Sequence, residues 1–179
     1  MKKFWAEWIK PLLVVAILTG AFRSAIADWY IVPTGSMKPT IMEGDRVFVN
    51  KLAYDLRVPF TKVQISHLSD PKRGEVVVLY SPYDGKRLVK RVIGVPGDVI
   101  EMRNSKLYVN GKLAEYEPLD PRIVQEIPED TRPEYTFFSE HFGQVTHPVM
   151  ITPLRSAIRD FVPLTVPAKD YFVMGDNRD

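Results

Sequence analysis

The chain has 179 residues and a formal net charge of +2, from 24 lysines and arginines against 22 acids. This length accommodates one modest domain besides an N-terminal segment. So small an excess of positive charge, interspersed with acids, argues against a nucleic-acid-binding protein. Because the sequence has no cysteine, a disulfide framework, a thiolate zinc site and a cysteine nucleophile are excluded.

The N-terminal segment has the pattern of a secretory signal. An uncharged run at residues 11–22 follows a lysine-rich start and precedes small residues at Ala25 and Ala27. This order is typical of a signal peptide that is removed after export. One interpretation of the chain is therefore a secreted, β-rich binding protein whose mature form begins at Asp28.

The same segment also fits a membrane anchor, the interpretation that we favour. The uncharged run alone would span about 18 Å as a helix, but a helix from Trp5 to Trp29 would reach about 36 Å. That length crosses a hydrocarbon core of about 30 Å and places tryptophans at both interfaces. The lysines before the apolar run predict a single-pass protein with a cytoplasmic N-terminus and its remainder outside the cytoplasm.

From Asp45 onward, short apolar runs separated by glycine, proline and aspartate predict a mainly β fold in which helix plays a minor part. The sequence Asn110-Gly111 predicts a tight hairpin turn into a strand at residues 112–116. The other predicted strands cover residues 46–52, 75–80, 87–94, 99–103 and 106–109.

Residues 112–168 differ in kind from the rest, because they hold eight of the fifteen prolines and show weak periodicity. We expect an inserted, partly ordered variable region there, with one strand at residues 135–138. The predicted organisation, in chain order, is an anchor, a catalytic β core, the inserted region and a return to the core: residues 1–29, 30–111, 112–168 and 169–179.

Ser36 and Lys90 are the candidate catalytic residues. A serine hydroxyl is a poor nucleophile without a base, and a lysine amine serves as that base only when burial keeps it neutral. Apolar neighbours such as Leu88 and Val89, together with nearby cations, predict a lowered pKa for Lys90. Gly35 is expected to let the backbone beside Ser36 approach a substrate closely.

Four sequence blocks in order carry a resemblance to the type I signal peptidases, membrane-bound enzymes that remove signal peptides from exported proteins. They are residues 31–40 (IVPTGSMKPT), 73–78 (RGEVVV), 90–98 (KRVIGVPGD) and 175–179 (GDNRD). The resemblance implies a serine endopeptidase of the plasma (inner) membrane, with a β-rich catalytic core outside the cytoplasm. It further implies cleavage after small residues of a preprotein, with no metal or organic cofactor.

The resemblance also assigns roles to residues. Ser36 is the nucleophile and Lys90 the general base, while the Ser36 backbone N–H and the Thr34 hydroxyl would bind the oxyanion. A signal peptide would bind in an extended conformation, by adding a strand. The substrate pockets would be lined by Val32, Pro33, Met37, Leu88 and Val89, for which core packing is an equal alternative. The structural support would come from Arg91, Gly175, Asp176, Asn177 and Arg178.

Two features leave alternatives open. Members of the family usually continue past the last block with a serine that orients the lysine, whereas this sequence ends at Asp179, so an inactive fragment is one alternative. A soluble, self-cleaving repressor-type protease would use the same kind of serine–lysine dyad, but the apolar N-terminal segment argues against this interpretation. The three histidines, His67, His141 and His147, are expected at the surface.

Overall fold

The structure is a computed structural model that describes residues 2–61, 63–128, 135–152 and 158–178. The described residues are mainly β, as predicted, and form two compact units. The first unit comprises residues 1–31 and 46–70, and the second comprises residues 32–45 and 71–179. Residues 46–70, which the sequence analysis placed in the catalytic core, therefore cluster with the N-terminal segment. The predicted division into a core and an inserted region stays a prediction.

The first unit opens with a long helix. It runs as an α-helix over Lys2–Phe4, a π-helical turn over Trp5–Ile9 and an α-helix over Lys10–Ala25. The 21 residues from Trp5 to Ala25, with a mean hydropathy of 1.4, span about 32 Å. The helix is thus long and apolar enough to cross a membrane.

The prediction that this helix extends to Trp29 is wrong. It ends at Ala25, and Trp29 lies in strand β1 (Ala27–Ile31). This strand pairs in antiparallel register with β2 (Arg46–Asn50), so that Trp29 is opposite Phe48. Aromatic and β-branched residues favour such pairing over a further turn of helix. A second hairpin in this unit joins β3 (Asp55–Arg57) to β4 (Gln64–His67).

The other ten strands among the described residues lie in the second unit. The 3₁₀ turn Gly35–Met37 precedes them, and the short helix Pro121–Glu126 separates β10 from β11. The strands are β5 (Val76–Tyr80), β6 (Arg87–Gly94), β7 (Val99–Arg103), β8 (Lys106–Val109), β9 (Lys112–Leu113), β10 (Glu115–Pro118), β11 (Thr136–Phe142), β12 (Val145–Ile151), β13 (Phe161–Thr165) and β14 (Phe172–Met174). They form three antiparallel sheets with the orders β14-β6-β5, β13-β7-β8-β9 and β10-β11-β12.

The predicted strands at residues 87–94, 99–103 and 106–109 are confirmed to the residue. The hairpin turn after β8 is also confirmed, with positive φ angles of 53° at Asn110 and 76° at Gly111. Two-residue hairpin turns of this type need positive φ at both central positions. The strand that follows is interrupted at Ala114, whose buried side chain separates β9 from β10.

The described part of residues 112–168 has more regular secondary structure than its sequence pattern suggests. Where the structure describes them they contain β9 to β13, and the strand predicted at residues 135–138 extends to Phe142. Residues 129–134 and 153–157 of this region lie outside the described residues. Three side chains from the region, Ala114, Phe142 and Val166, join the buried cluster around Ile93 and Ile100. Because Ile93 belongs to β6, this core fixes the strand that carries Lys90.

Candidate active site

Ser36 lies in the 3₁₀ turn Gly35–Met37, which the extended residue Thr34 precedes. The turn closes through the backbone N–H of Lys38, which donates to the carbonyl oxygen of Gly35 at 3.1 Å. The side chain of Met37 is fully buried, and it therefore anchors the turn while Ser36 stays half-buried. A packed neighbour of this kind holds a reactive side chain more firmly than a free loop does.

Lys90 lies in the middle of β6, opposite Val77 of β5. Its own strand contacts the 3₁₀ turn that carries Ser36. The side chain is half-buried, between the half-buried Val89 and the buried Arg91. Strand pairing fixes the backbone of a lysine in the centre of a strand, so its amine can move only by rotation of the side chain.

Gly175 lies against both candidate catalytic residues. A β-carbon added to this glycine would be 2.2 Å from the carbonyl oxygen of Ser36 and 3.3 Å from Nζ of Lys90. The Ser36 backbone and the Lys90 amine therefore lie around one point, which any side chain at position 175 would occupy. This close approach explains why glycine is required at this position.

Asn177 ties the same C-terminal segment to the turn. Its backbone N–H donates to the carbonyl oxygen of Ser36 at 3.2 Å. Its side-chain Nδ2 donates to the carbonyl oxygen of Gly35 at 3.3 Å. The two bonds hold the backbone on both sides of the Gly35–Ser36 peptide, which positions Ser36 without involving its hydroxyl.

Burial lowers the pKa of Lys90, and the nearby carboxylate of Asp176 acts in the opposite direction. The direction agrees with the prediction from the apolar neighbours. The charge that acts on Lys90 is, however, the acid Asp176 rather than the cations Arg87 and Arg91. A lowered pKa increases the fraction of neutral amine at moderate pH, which is the form that accepts a proton.

Arg91 and Asp176 form a buried ion pair with two hydrogen bonds. Nε of Arg91 donates to Oδ1 of Asp176 at 2.8 Å, and its Nη2 donates to Oδ2 at 2.7 Å. The third nitrogen, Nη1, donates to the carbonyl oxygen of Gly74 at 2.7 Å, and the Thr40 hydroxyl donates to Asp176. Through this pair the residues that follow Lys90 and Gly175 are held together.

A second buried cluster lies beyond Asp176 and was not anticipated from the sequence. Arg178 and Tyr116 both donate to the fully buried carboxylate of Glu140. His147, expected at the surface, is only 3% exposed; its Nε2 lies 3.4 Å from Glu140 and 3.5 Å from Asp176. Glu140 and His147 face each other across β11 and β12, in a region whose sequence gave no signal of a polar cluster.

Burial lowers the pKa of His147 to about 3, although the carboxylate of Asp176 opposes this shift. The imidazole is therefore neutral at ordinary pH. With neutral His147, the two carboxylates, Asp176 and Glu140, are matched in charge by two guanidinium groups, Arg91 and Arg178. Such pairing is what allows ionised groups to remain in a protein interior.

A further ion pair stabilises the far end of β6. Arg73 donates to both oxygens of Asp98 at 2.6 Å. The backbone N–H of Val95 and the side chain of Asn110 also donate to Asp98, at 2.8 and 2.9 Å. Burial alone would raise the pKa of Asp98, but these donors lower it below its usual value. The turn between β6 and β7 is thus fixed by a carboxylate that stays ionised.

The remaining residues assigned from the resemblance have different environments. Val32 and Met37 are buried, Leu88 and Val89 are half-buried, and Pro33 and Thr34 are exposed. The space beside Gly35 is filled by side chains of this chain, since an added β-carbon would lie 2.8 Å from Oε1 of Glu43. The backbone nevertheless brings all these positions to the turn and to β6, on either side of Ser36 and Lys90.

The sequence model of the family described as "Signal peptidase, peptidase S26" matches residues 5–179. The chain therefore belongs to this family. It is 37% identical over 175 residues to a signal peptidase I from Pseudomonas aeruginosa, covering 97% of the chain and 60% of that relative. It is 36% identical over 172 residues to a signal peptidase I P from Bacillus subtilis subsp. natto, covering 96% of the chain and 74% of that relative.

A crystal structure of a signal peptidase I from Enterococcus faecalis V583 is similar to 63% of this chain and 81% of its own, with 28% identity and a TM-score of 0.34. The chain spans 60% of the length of the Pseudomonas relative.

Proposed function

We propose that this chain is a membrane-anchored serine endopeptidase that cleaves N-terminal signal peptides from exported preproteins. The observation that carries the proposal is the approach of Gly175 to both Ser36 and Lys90, with the lysine pKa lowered by burial. A nucleophile beside a base that burial keeps partly neutral is the minimum requirement for serine–lysine hydrolysis.

In the first step, neutral Lys90 accepts the proton of the Ser36 hydroxyl as the hydroxyl oxygen attacks the scissile carbonyl carbon. The charge that develops on the carbonyl oxygen is stabilised by the Ser36 backbone N–H and the Thr34 hydroxyl. Lys90 then gives its proton to the leaving amine, which is the new N-terminus of the mature protein. The signal peptide remains attached to Ser36 as an ester.

In the second step, a water molecule transfers a proton to Lys90 and attacks the ester carbon. Collapse of this intermediate returns the proton to Ser36 and releases the signal peptide with a free carboxylate. The arrangement around Lys90 suits both steps, because the same amine alternates between accepting and donating a proton. Asp176 and Arg91 act through the position of Lys90 and Gly175, without contact with substrate.

The family resemblance implies a preference for small residues one and three positions before the cut, and an extended substrate beside Ser36 accounts for their spacing. Alternate side chains of an extended peptide point to the same side. The side chains one and three positions before the cut would therefore contact the same face of the enzyme. Leu88 and Val89, both half-buried, and the exposed Pro33 are the best candidates for shallow pockets. Val32 and Met37, which are buried, would shape the pocket floors from below.

The helix Trp5–Ala25 serves as the membrane anchor in this proposal, with the N-terminus in the cytoplasm and the catalytic residues on the opposite side. None of its large apolar side chains is buried within the protein, as expected for a helix that lipid surrounds. The exposed aromatic pair Trp29 and Phe48, with ring centroids 4.9 Å apart, suits the interface just after the helix.

The test is cleavage of a preprotein with alanine one and three positions before its cut, by the full chain in detergent micelles. We expect cleavage at that bond only, and none by the Ser36→Ala variant. A preprotein with phenylalanine at the position before the cut is the matched control and should remain intact. Cleavage by Ser36→Ala, or equal cleavage of the phenylalanine substrate, would contradict the proposal.

A further inference from the structure

The end of the N-terminal helix carries a sequence pattern that the catalytic proposal does not use. Ala25 and Ala27 are small residues two positions apart, directly after an apolar run. This is the pattern at which a signal peptide is removed, with the cut between Ala27 and Asp28. The proposed activity prefers small residues one and three positions before the cut. The chain therefore contains a sequence that its own activity would recognise.

The fold hides both alanines. Ala25 is only 8% exposed and Ala27 only 6% exposed. Ala25 is the last residue of the helix and Ala27 the first residue of β1, while Ile26 between them has helical backbone angles, with φ of −109° and ψ of −58°. A peptide that binds by adding a strand must be extended over all of these residues. The folded site therefore cannot bind as a substrate.

Backbone hydrogen bonds hold this conformation in place. The backbone N–H of Ile26 donates to the carbonyl oxygen of Phe22 at 2.8 Å, and the carbonyl oxygen of Ile26 accepts from the N–H of Lys51 at 2.8 Å. Ala27 is opposite Asn50 in the β1–β2 hairpin. An extended conformation requires that the first two bonds break and that the alanines leave their buried positions. A protease therefore acts only on the fraction of molecules that is locally open.

The side chain of Lys51 joins the two sides of the site. Its Nζ donates to the carbonyl oxygens of Arg23 and Ser24, at 2.6 and 3.4 Å, and lies 3.4 Å from Oδ2 of Asp28. Arg23 pairs with the other carboxylate oxygen of Asp28 at 2.7 Å. We call Arg23, Asp28 and Lys51 the helix-end clamp. It ties the last turn of the helix to the residue that follows the cut, and a cation on the last carbonyls also stabilises the helix end.

We propose that a second copy of this chain is a substrate of the proposed peptidase, cut between Ala27 and Asp28, and that the helix-end clamp keeps this site closed. The inference rests on the proposed function. Two anchored copies share one membrane, so the site of one copy follows an apolar helix in the bilayer, as the cleavage site of a preprotein does.

The reaction is the same two-step hydrolysis. Ser36 of one copy attacks the carbonyl carbon of Ala27 in the other, and its proton passes to Lys90. Lys90 gives this proton to the leaving amine of Asp28, and the segment that ends at Ala27 remains on Ser36 as an ester. A water molecule then hydrolyses the ester, which releases the carboxylate of Ala27 and restores the serine hydroxyl.

Cleavage at this bond would separate the peptidase from its anchor. Ser36 and Lys90 both follow the cut, and so does the whole of the second unit. The helix-end clamp would therefore control how much of the peptidase stays attached to the membrane. It also explains why one sequence pattern fits both a removable signal and a permanent anchor, because the fold around the alanines decides between the two outcomes.

The test uses Lys51, which lies outside the recognised sequence, so that its substitution opens the clamp without altering the site. Three full-length substrate copies carry Ser36→Ala, which prevents them from cutting themselves: one without further change, one with Lys51→Met and one with Lys106→Met. Lys106 is an exposed lysine at the start of β8 and serves as the matched control. Each copy is mixed with the active parent chain in detergent micelles, and the alanine preprotein is assayed in parallel.

The readout is the mass of the fragment that begins at Asp28. Because position 36 lies within this fragment, its mass distinguishes the substrate copy from the parent chain. We expect the fragment to form about ten-fold faster from the Lys51→Met copy than from the other two, since loss of a hydrogen bond to a charged group raises the open fraction by about this factor. Adding Ala27→Phe to the Lys51→Met copy should abolish it.

Equal rates for the three copies would overturn the role of the clamp. A cut at another bond, or one that Ala27→Phe does not prevent, would overturn the site. Cleavage of the preprotein while every copy stays intact would overturn the inference and leave the proposed function standing. A preprotein that the parent chain does not cut would refute the proposed function, and the inference with it.

Amide hydrogen exchange of the Ser36→Ala copies separates local opening from unfolding. In the Lys51→Met copy we expect faster exchange at Ile26 and Lys51, and unchanged exchange at Tyr30 and Val47, which are opposite each other further along the hairpin. Faster cleavage together with an equal loss of protection at all four amides would show that the whole hairpin unfolds. That result would also overturn the role of the clamp.

Discussion

The carboxylate of Asp176 and the guanidinium of Arg91 meet through two hydrogen bonds of 2.8 and 2.7 Å, in the interior of the second unit. Arg91 follows Lys90 in β6, and Asp176 follows Gly175, so the pair joins the strand of Lys90 to the segment that contacts Ser36. Since Asp176 also raises the pKa of Lys90 while burial lowers it, the pair links the architecture of the site to its proton chemistry.

Breaking this pair is expected to destabilise the fold. The Asp176→Asn variant leaves the Arg91 charge buried without its counter-ion, which typically costs about 3–5 kcal/mol. In the double-mutant cycle of Arg91→Met and Asp176→Leu, the double variant removes both charges and should cost much less than the sum of the two single variants. Chemical denaturation of all four proteins measures this, and an additive double variant would show that the two residues do not interact.

The same substitution predicts a shift in the pH dependence of catalysis. In the proposed mechanism activity requires neutral Lys90, so kcat/KM is expected to fall on the acidic side as pH drops through the lysine pKa. Asp176 raises that pKa, and its removal should therefore move the acidic limb to lower pH. The measurement is the pH profile of kcat/KM for the folded fraction of Asp176→Asn. A limb that moves to higher pH would contradict the direction of this coupling.

Replacement of Gly175 by alanine should abolish most activity. The added methyl group would be 2.2 Å from the Ser36 carbonyl oxygen, so the turn must shift by an ångström or so. Displacements of this size cost about 10²-fold in rate. Gly85→Ala is the control: it lies at a φ of 67° with no atom within 4 Å of the added carbon. It should lose about 1 kcal/mol of stability with unchanged kcat/KM.

Removal of the Thr34 hydroxyl tests its role in binding the oxyanion. We expect Thr34→Val to lower kcat by about 10²-fold with little change in KM, since loss of one such donor affects the transition state. Thr34→Ser retains the hydroxyl and should restore most of the rate. If the valine variant turned over as fast as the parent chain, Thr34 would be no part of the site.

The lowered pKa of His147 predicts a specific acid sensitivity. Its folded pKa of about 3 is below the unfolded value of about 6.5. The unfolded chain therefore binds the extra proton first, and stability falls as pH drops from 6.5 towards 3. The slope is up to about 1.4 kcal/mol per pH unit. When the pH falls from 7 to 5, we expect the free energy of unfolding of His147→Gln to decrease by about 2 kcal/mol less than that of the parent chain.

The measurement for His147 is the free energy of unfolding at several pH values, for both proteins, relative to each at pH 7. Normalisation to pH 7 removes the packing cost of the substitution itself. Identical slopes for the two proteins would show that the imidazole does not carry this pH dependence.

The sequence predicted the strands whose pattern is local. Strand β6 has β-branched residues and is followed by the turn Pro96-Gly97, and Asn110-Gly111 specifies the hairpin between β8 and β9 by backbone conformation alone. The end of the N-terminal helix was missed because the pairing of Trp29 with Phe48 is a tertiary contact, and an apolar aromatic residue suits both a helix and a strand.

The site itself was only partly predictable. Motif order pointed to Ser36, Lys90 and the GDNR segment, and the structure brings the Ser36 backbone and the Lys90 amine together around Gly175. Glu140 and His147 were missed, since they come from two strands in a proline-rich region and meet the site through Asp176 and Arg178. Burial of a charged residue depends on partners distant in sequence, which local pattern does not reveal.

The most direct test of the central claim, a Ser36 nucleophile activated by Lys90, is the mass of the acid-quenched protein after brief mixing with excess preprotein. We predict an adduct on Ser36 with the mass of the signal peptide less one water, absent in Ser36→Ala and formed far more slowly in Lys90→Ala. The adduct should disappear as signal peptide is released. Cleavage without an adduct on Ser36, or an adduct that forms as fast without Lys90, would contradict the account.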